Sequence, residues 1–254
     1  MRLRTIAVMA ATLGAFGIWS ITGMATAAEI KVLSSNAIKE AYTEFAPQFE
    51  RESSHKLVTD WNGTVDIIRK LQAGEVHDLV IMAGPSLDDM IKQGKIVQGS
   101  RVDLVKSGVG IAVRTGAPKP DIGSADAIKK ALLAANGIGY SSGPSGVYLE
   151  GLFQRMGIAE AIKSKLKRTA PGVPVGDLLA RGEVDIGFQQ VSELLLFPGI
   201  QYVGPLPADI QHVTVFSGGL HAGAKEPEAA KALVRFITSP AALPAIKKSG
   251  MEPG

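Results

Sequence analysis

Strand-like apolar runs alternate along this chain with segments whose apolar residues recur at helical spacing. The clearest strand is the continuous apolar run at residues 78–83, which is typical of a strand buried on both faces of a parallel sheet. Residues 36–51 are predicted to be helical because their apolar side chains recur three or four positions apart (Ile38, Tyr42, Phe45 and Phe49). This alternation predicts an α/β fold, with helices on both sides of each sheet and ligands near the carboxyl ends of the strands.

The strand and helix units form two series, which predicts two lobes. In the first series we expect strands at residues 30–34, 56–60 and 78–83, helices at 36–51 and 64–73, and a helix that begins at 84–86. Beyond it we expect strands at 109–114, 137–141, 184–189, 202–205 and 213–218, helices at 124–135, 147–156, 158–166, 175–181, 227–238 and 241–249, and a linker at 116–123. We assign residues 29–113 and 219–254 to lobe I, and residues 114–218 to lobe II.

The N-terminus has the order of features found in a secretory signal. Arg2 and Arg4 precede an apolar run at residues 6–21, and a stretch of small residues follows at 25–28. This order predicts a signal peptide at residues 1–28 and a mature protein in the periplasm. The alternative is a membrane anchor, but the apolar run is shorter than the roughly 18 residues that a spanning helix needs. A lipid-anchored lipoprotein is excluded because the chain has no cysteine.

Composition narrows the function classes further. The whole chain has 27 Lys and Arg against 24 Asp and Glu, and two of the arginines belong to the predicted signal. Such a balance does not favour a nucleic-acid partner. The four histidines (His55, His77, His212 and His221) show no metal-ligand spacing, so we expect no metal and no cofactor. We expect a monomer. Because the chain has no cysteine and therefore no disulfides, we expect its fold to rest on its apolar core.

Two polar segments lie where predicted strands of the first series give way to helices. They consist of Ser34, Ser35 and Asn36, and of Asn62, Gly63 and Thr64. Free backbone N–H groups and the helix dipole make such junctions suitable for an anion. The alternatives are that Ser35 or Asn36 only caps its helix, and that Asn62 and Gly63 only form a turn.

A loop rich in serine and glycine, residues 140–148, is the strongest candidate for an anion site. Its Ser142, Ser145 and Gly146 lie between a predicted strand and a predicted helix, where backbone N–H groups are exposed. The loop is neither a GxGxxG nor a Walker A motif, which disfavours nucleotide binding. The alternative is a flexible surface loop.

A fourth candidate is the pair Gln189 and Gln190 at the end of a predicted strand. Their amide groups are suited to donate to a carboxylate or an oxyanion. The alternative is that one side chain faces the margin of the core and the other faces solvent. We assign no catalytic residue, because the sequence shows no nucleophile elbow with His and Asp partners.

Three segments together resemble the periplasmic molybdate-binding proteins of ABC importers, which have the type II periplasmic binding fold. The segments are residues 71–83, 144–148 and 181–187, and the resemblance covers nearly all of the mature chain. It implies two doubly wound α/β lobes joined by two crossover strands, a small anion held by neutral donors, and an ABC permease as partner. The contact positions of the family fall at or near Ala37 and on Thr64, Ser145 and Gln190. Two of these differ from the family's residues, which favours another anion, such as a carboxylate.

One branch of this group is similar to periplasmic aconitate isomerase, an enzyme built on a binding-protein scaffold. That resemblance implies an acid or base within reach of a substrate carbon. Two hypotheses therefore remain open: a solute-binding protein that supplies an ABC importer, and an isomerase that interconverts cis- and trans-aconitate. The fold does not choose between them.

Overall fold

The computed structural model describes residues 27–254. The predicted signal peptide lies outside the described residues, apart from residues 27 and 28. Within the described part, no helix combines the length and the apolar character needed to cross a membrane.

The first half of the described chain alternates strands and helices as expected. Its elements are β1 (Glu29–Ser35), a short 3-10 turn (Asn36–Ile38), α1 (Lys39–Ser53), β2 (Lys56–Asn62), α2 (Thr64–Gln72), β3 (Leu79–Ala83), α3 (Gly84–Lys92) and β4 (Val102–Arg114). β1 lies between β2 and β3 and is parallel to both. All five residues of β3 are buried, as the apolar run predicts.

The second half contains shorter elements. They are α4 (Ala125–Ala134), β5 (Ile138–Tyr140), α5 (Pro144–Arg155), α6 (Ala159–Ile162), β6 (Leu166–Arg168), α7 (Val175–Ala180), β7 (Ile186–Gln190), α8 (Val191–Leu194), β8 (Ile200–Pro205), β9 (Val213–Leu220), α9 (Pro227–Ile237), α10 (Leu243–Lys248) and β10 (Glu252–Pro253). β5 is parallel to β6 on one side and to β7 on the other.

Two long strands connect the two groups of parallel strands. β9 pairs antiparallel with β3 and with the first part of β4, from Val102 to Gly108. The second part of β4 pairs instead with β7 and β8. β4 therefore passes from one lobe into the other, and the strand order is β2-β1-β3-β9-β4-β7-β5-β6. The lobe boundaries remain a prediction. Residues 213–218, which the sequence assigns to lobe II, pair with β3 and with the first part of β4.

Each lobe buries apolar residues on both faces of its sheet. In β3, Leu79 and Ile81 belong to the core under α1 and α9, whereas Val80 and Met82 belong to the core under α2 and α3. This division follows from the alternation of side chains along a strand. The second lobe has its larger core around Phe153 and Phe188 and a smaller one around α7. The α/β prediction is confirmed.

The sequence-based prediction of a helix at residues 158–166 is wrong at its C-terminal end. The α-helix ends at Ile162, a 3-10 turn follows, and Leu166 begins β6. Leu166 pairs with Ile138 and Arg168 pairs with Tyr140, so the strand forms through partners nearly 30 residues away. Local periodicity does not report such pairing. β4 also begins seven residues earlier than predicted, while α8 and β10 were not predicted.

Candidate functional site

A cavity lies between the two lobes, with about 460 Å³ of empty space that is partly open to solvent. Its walls come from the segments that follow β1, β2, β5 and β6 and from the end of β7. These are carboxyl ends of parallel strands, where ligands bind in open α/β sheets. The wall consists of Ser35, Asn36, Ala37, Gly63, Thr64, Val65, Ser141, Ser142, Gly143, Pro144, Ser145, Thr169, Pro171, Gly172, Val173, Gln189, Gln190, Glu193 and Phe216.

The cavity brings together eight of the eleven residues that the sequence predicts for ligand binding. They are Ser35, Asn36, Gly63, Thr64, Ser142, Ser145, Gln189 and Gln190. The other three, Ser34, Asn62 and Gly146, are not on the wall. Ser34 is fully buried, and its hydroxyl donates to the Ser35 carbonyl at 3.4 Å. Contact between the eight wall residues and a ligand remains a prediction.

Gly146 has a structural reason for being glycine. A Cβ atom at this position would lie 1.6 Å from the carbonyl oxygen of Ser141. The chain therefore needs glycine to turn from β5 into α5. The turn also brings the Ser141 and Ser145 hydroxyls to 2.9 Å from each other, and the Gly143 N–H donates to Ser141 Oγ at 3.3 Å.

The N-terminus of α5 points a polar surface at the cavity. Gly143 is the N-cap and Pro144 is in the first turn, and no side chain caps the helix. The first N–H groups of a helix have no partner within the helix, and the helix dipole makes this end positive. Together with the buried Ser145 hydroxyl, they form a polar surface without formal charge, of the kind that is suited to an anion.

The first helix junction is arranged differently. Ser35 Oγ accepts a hydrogen bond from the N–H of Ala37 at 3.3 Å, so its side chain caps the 3-10 turn. Asn36 Nδ2 donates to the Gly172 carbonyl across the cleft at 3.4 Å. Ser35 therefore has the capping role that was the alternative for this segment, while Asn36 joins the two lobes.

Two buried hydroxyls on the wall have no hydrogen-bond partner among the described residues. They are Thr64 Oγ1 at the start of α2 and Thr169 Oγ1 after β6. The side chains are 7% and 6% exposed. An unsatisfied buried polar group costs about 1–3 kcal/mol, and a polar ligand between the lobes would remove that cost. Sequence reasoning missed Thr169, because the strand before it was not predicted.

The side-chain amide of Gln189 makes hydrogen bonds to two neighbouring segments beside the cavity. Gln189 Oε1 accepts from the N–H of Val175 at 2.8 Å, and its Nε2 donates to Glu193 Oε1 at 2.8 Å. Both ends of this amide are used within the protein, so the predicted donation to a ligand remains a prediction.

Gln190 joins β7 to both crossover strands. Its Nε2 donates to the carbonyls of Ser107 at 3.0 Å and Gly108 at 3.2 Å, and its Oε1 accepts from Thr214 Oγ1 at 3.0 Å. Gln190 is 2% exposed, and both ends of its amide have hydrogen-bond partners. This position therefore anchors the junction between the lobes, and its contact with a ligand likewise remains a prediction.

Glu193, on α8, was not singled out from the sequence. Among residues 27–254, it is the one ionisable side chain on the cavity wall. Burial raises the pKa of its carboxyl group to about 7, although the Gln189 amide acts in the opposite direction. Near neutral pH the group is therefore divided between its acid and its base forms, which is the condition that suits proton transfer.

The lobes approach each other closely at one edge of the cavity. A Cβ atom on Gly63 would lie 2.9 Å from the backbone nitrogen of Gly172, which has a φ of +74°. This close approach and the hydrogen bond from Asn36 to the Gly172 carbonyl show that the two lobes are in contact beside the cavity. Larger side chains at Gly63 would keep them apart.

The described chain matches one family over nearly its whole length. Residues 30–252 match the model of the bacterial extracellular solute-binding proteins. The chain belongs to this family. An aconitate isomerase of Pseudomonas sp is 41% identical over 230 residues, which cover 88% of this chain and 87% of that protein. The molybdate-binding protein ModA of Azotobacter vinelandii is 25% identical over 243 residues, covering 93% and 94% of the two chains.

Solved structures of solute-binding proteins have the same fold. The periplasmic molybdate-binding protein of Azotobacter vinelandii superposes with a TM-score of 0.75 and 18% identity, covering 89% of this chain and 99% of that chain. The predicted type II periplasmic binding fold, with two α/β lobes joined by crossover strands, is thereby confirmed. The resemblance to molybdate-binding proteins and to the aconitate isomerase branch is confirmed as well.

One cluster outside the cleft has the composition of a metal site. Asp60, Glu75 and His77 offer ligand atoms that lie within 4.8 Å of one another. Lys70 Nζ lies 2.5 Å from Asp60 Oδ2 and 3.7 Å from Glu75 Oε2. The ammonium group pairs with both carboxylates, while His77 Nδ1 is buried without a hydrogen-bond partner among the described residues.

Proposed function

We propose that this solute-binding protein takes a small polycarboxylate of the aconitate kind into the cleft and interconverts its cis and trans isomers. The observation that carries the proposal is Glu193, a carboxyl group in the wall of a cavity otherwise lined by neutral side chains. In a protein that only binds anions, an ionised carboxyl group there would repel the ligand. A site that moves a proton needs such a group. The relative that is 41% identical is named as an aconitate isomerase.

The neutral wall suits the rest of this chemistry. Aconitate is a propene with three carboxylates, and its isomers exchange when a proton moves between the two outer carbons. Hydroxyl groups of Thr64, Ser145 and Thr169 are placed to donate to carboxylates from both lobes. Fixed donors and the N-terminus of α5 also stabilise the negative charge that develops as the proton leaves. These residues are therefore suited to bind and orient a tricarboxylate.

The second candidate function is binding alone, with delivery of a small anion to an ABC permease. The family favours it, because residues 30–252 match the bacterial extracellular solute-binding proteins and the molybdate-binding protein ModA of Azotobacter vinelandii is 25% identical. Residues 1–28 would then direct export to the periplasm, as they would for the enzyme. We propose the same lobe boundaries for both candidates, between residues 113 and 114 and between residues 218 and 219.

Purified protein incubated with cis-aconitate separates the two candidates. The enzyme produces trans-aconitate, and ¹H NMR shows its vinyl signal rising with time. Calorimetry with cis-aconitate, trans-aconitate, molybdate and sulfate gives the binding preference in parallel. Binding of a carboxylate without turnover across pH 5 to 8 would reject the enzyme and retain the binding protein. Preference for molybdate would reject the proposed ligand class.

N-terminal sequencing of the protein from a periplasmic fraction tests export. A mature chain that begins near Glu29 is expected. A chain that retains residues 6–21 and stays with the membrane would reject the cleavable signal.

A further inference from the structure

We infer that Glu193 is the catalytic residue that carries the proton between the two outer carbons of the substrate. The inference rests on the proposed isomerase function and adds the identity of the group that performs the reaction. Within the described residues, no other ionisable side chain lines the cavity. A proton that leaves a substrate carbon inside this cavity therefore has one side-chain carboxyl to accept it.

The hydrogen bonding of Glu193 leaves one oxygen available. Oε1 accepts from Gln189 Nε2 at 2.8 Å. Oε2 makes no hydrogen bond or salt bridge among the described residues, and it is not among the unpartnered atoms that are sealed from solvent. Oε2 is thus the atom that can meet a substrate carbon, while Oε1 is held in place.

The support of Glu193 is rigid, which a proton carrier requires. Gln189 is fixed at its other end by the N–H of Val175 at 2.8 Å. The next residue, Gln190, is fixed to β4 and β9. Ser192, which precedes Glu193, lies with its Oγ 3.3 Å from Ser107 Oγ. The carboxyl group therefore stands on a segment tied to both crossover strands, and its orientation does not depend on a flexible loop.

Three hydroxyl groups that can donate hydrogen bonds line the same cavity as the carboxyl group. Thr64 belongs to the first lobe, and Ser145 and Thr169 belong to the second, and all three line the same cavity. With the three carboxylates of the substrate held by such neutral donors, the reacting carbons lie between the donors and Glu193. Burial also raises the pKa of Glu193 to about 7, so that both protonation states occur at neutral pH.

The step balances with this one group. As a carboxylate, Glu193 takes a proton from the methylene carbon of trans-aconitate, and the electron pair of that C–H bond forms a double bond to the central carbon. The electron pair of the original double bond moves to the far carbon. The same carboxyl group then gives its proton to that carbon. One C–H bond is broken and one is formed, and no oxidant, reductant or co-reactant takes part.

The test compares wild type with Glu193→Gln in D₂O, with trans-aconitate as the probe. Glutamine keeps the size and the hydrogen bonding of the residue but cannot take up a proton. We expect conversion and deuterium exchange at the methylene carbon both to fall about 100-fold or more, which is the range that removal of a general acid or base produces. Calorimetric binding of trans-aconitate should persist. The matched control is Glu160→Gln, a change at an exposed position of α6 that should leave both rates unchanged.

A second measurement uses the wild-type protein alone, so that it does not depend on how the variant folds. A carbodiimide with an amine nucleophile modifies carboxyl groups, and mass spectrometry locates each modified residue. We expect turnover to be lost in proportion to the modification of Glu193. Bound trans-aconitate should slow both the modification of Glu193 and the loss of turnover. Full modification of Glu193 with turnover intact would overturn the inference.

The outcomes separate this inference from the function on which it rests. If wild type converts aconitate and Glu193→Gln converts it at a similar rate, only the role of Glu193 is overturned. If wild type binds aconitate without converting it, the isomerase function falls, and this inference falls with it.

Discussion

The burial of Glu193 predicts that the contribution of this one side chain to stability falls as the pH rises. In the folded state burial raises the pKa of the carboxyl group from an ordinary value of 4.5 to about 7. The folded state therefore holds a proton that the unfolded state releases. The favourable contribution of Glu193 is complete below about pH 4.5 and is lost as the pH rises through 7.

The size of this effect follows from the two pKa values. A tenfold change in an equilibrium corresponds to about 1.4 kcal/mol, so the full difference is about 3 kcal/mol. Between pH 5 and pH 8 most of it, roughly 2 to 3 kcal/mol, should appear. Glutamine at this position bears no charge at either pH. The variant Glu193→Gln should therefore gain that amount relative to wild type over this interval.

Urea unfolding of the ligand-free protein at pH 5 and pH 8 measures the effect. The free energy of unfolding is obtained for wild type, Glu193→Gln and the control Glu160→Gln, and the pH dependence of each difference is compared. Glu160 is exposed, so its variant should follow wild type. If the difference between wild type and Glu193→Gln is the same at both pH values, Glu193 is not a buried carboxyl of raised pKa, and the reasoning from the cavity is refuted.

Three further predictions concern the cleft and its frame. Thr64→Val and Thr169→Val should each weaken trans-aconitate binding by about 1–3 kcal/mol in calorimetry, because each removes a donor that lacks a partner among the described residues. Neither change should lower the melting temperature. Unchanged affinity in both variants would mean that the ligand binds elsewhere. Gly63→Val should also weaken binding, since its Cβ meets backbone of the other lobe at 2.9 Å, whereas Gly151→Ala, whose Cβ meets only the end of a flexible arginine, should bind normally. Asp78→Ala should lower the free energy of unfolding by on the order of 3 kcal/mol in urea, because its buried carboxylate accepts three backbone N–H groups at 2.7–2.9 Å; a loss below about 1 kcal/mol would contradict that account.

Elements with strong local patterns could be predicted from the sequence. The apolar run at residues 78–83 became β3, buried along its length, and the periodic segment at 36–51 became a 3-10 turn followed by α1. The polar junctions after β1 and β2 lie together because parallel strands end at the same edge of a sheet, and the junction after β5 faces them from the other lobe across the cavity. Such arguments need only local pattern and the rules of α/β topology.

Features that depend on distant contacts could not be predicted. Thr169 follows β6, which exists because Leu166 pairs with Ile138. In the sequence Glu193 is an ordinary helix residue, and only the fold places it, half-buried, beside Gln189. Gln190 lies on the cavity wall, but its amide is used by the crossover strands, and no local pattern specifies that contact.

A crystal structure of Glu193→Gln with trans-aconitate bound tests the central claim most directly. The account predicts density for the ligand between the lobes, with carboxylates within hydrogen-bond distance of Thr64 Oγ1 and Thr169 Oγ1 and the methylene carbon beside residue 193. Density for the ligand outside this cavity, or inside it with no carbon near residue 193, would contradict the account.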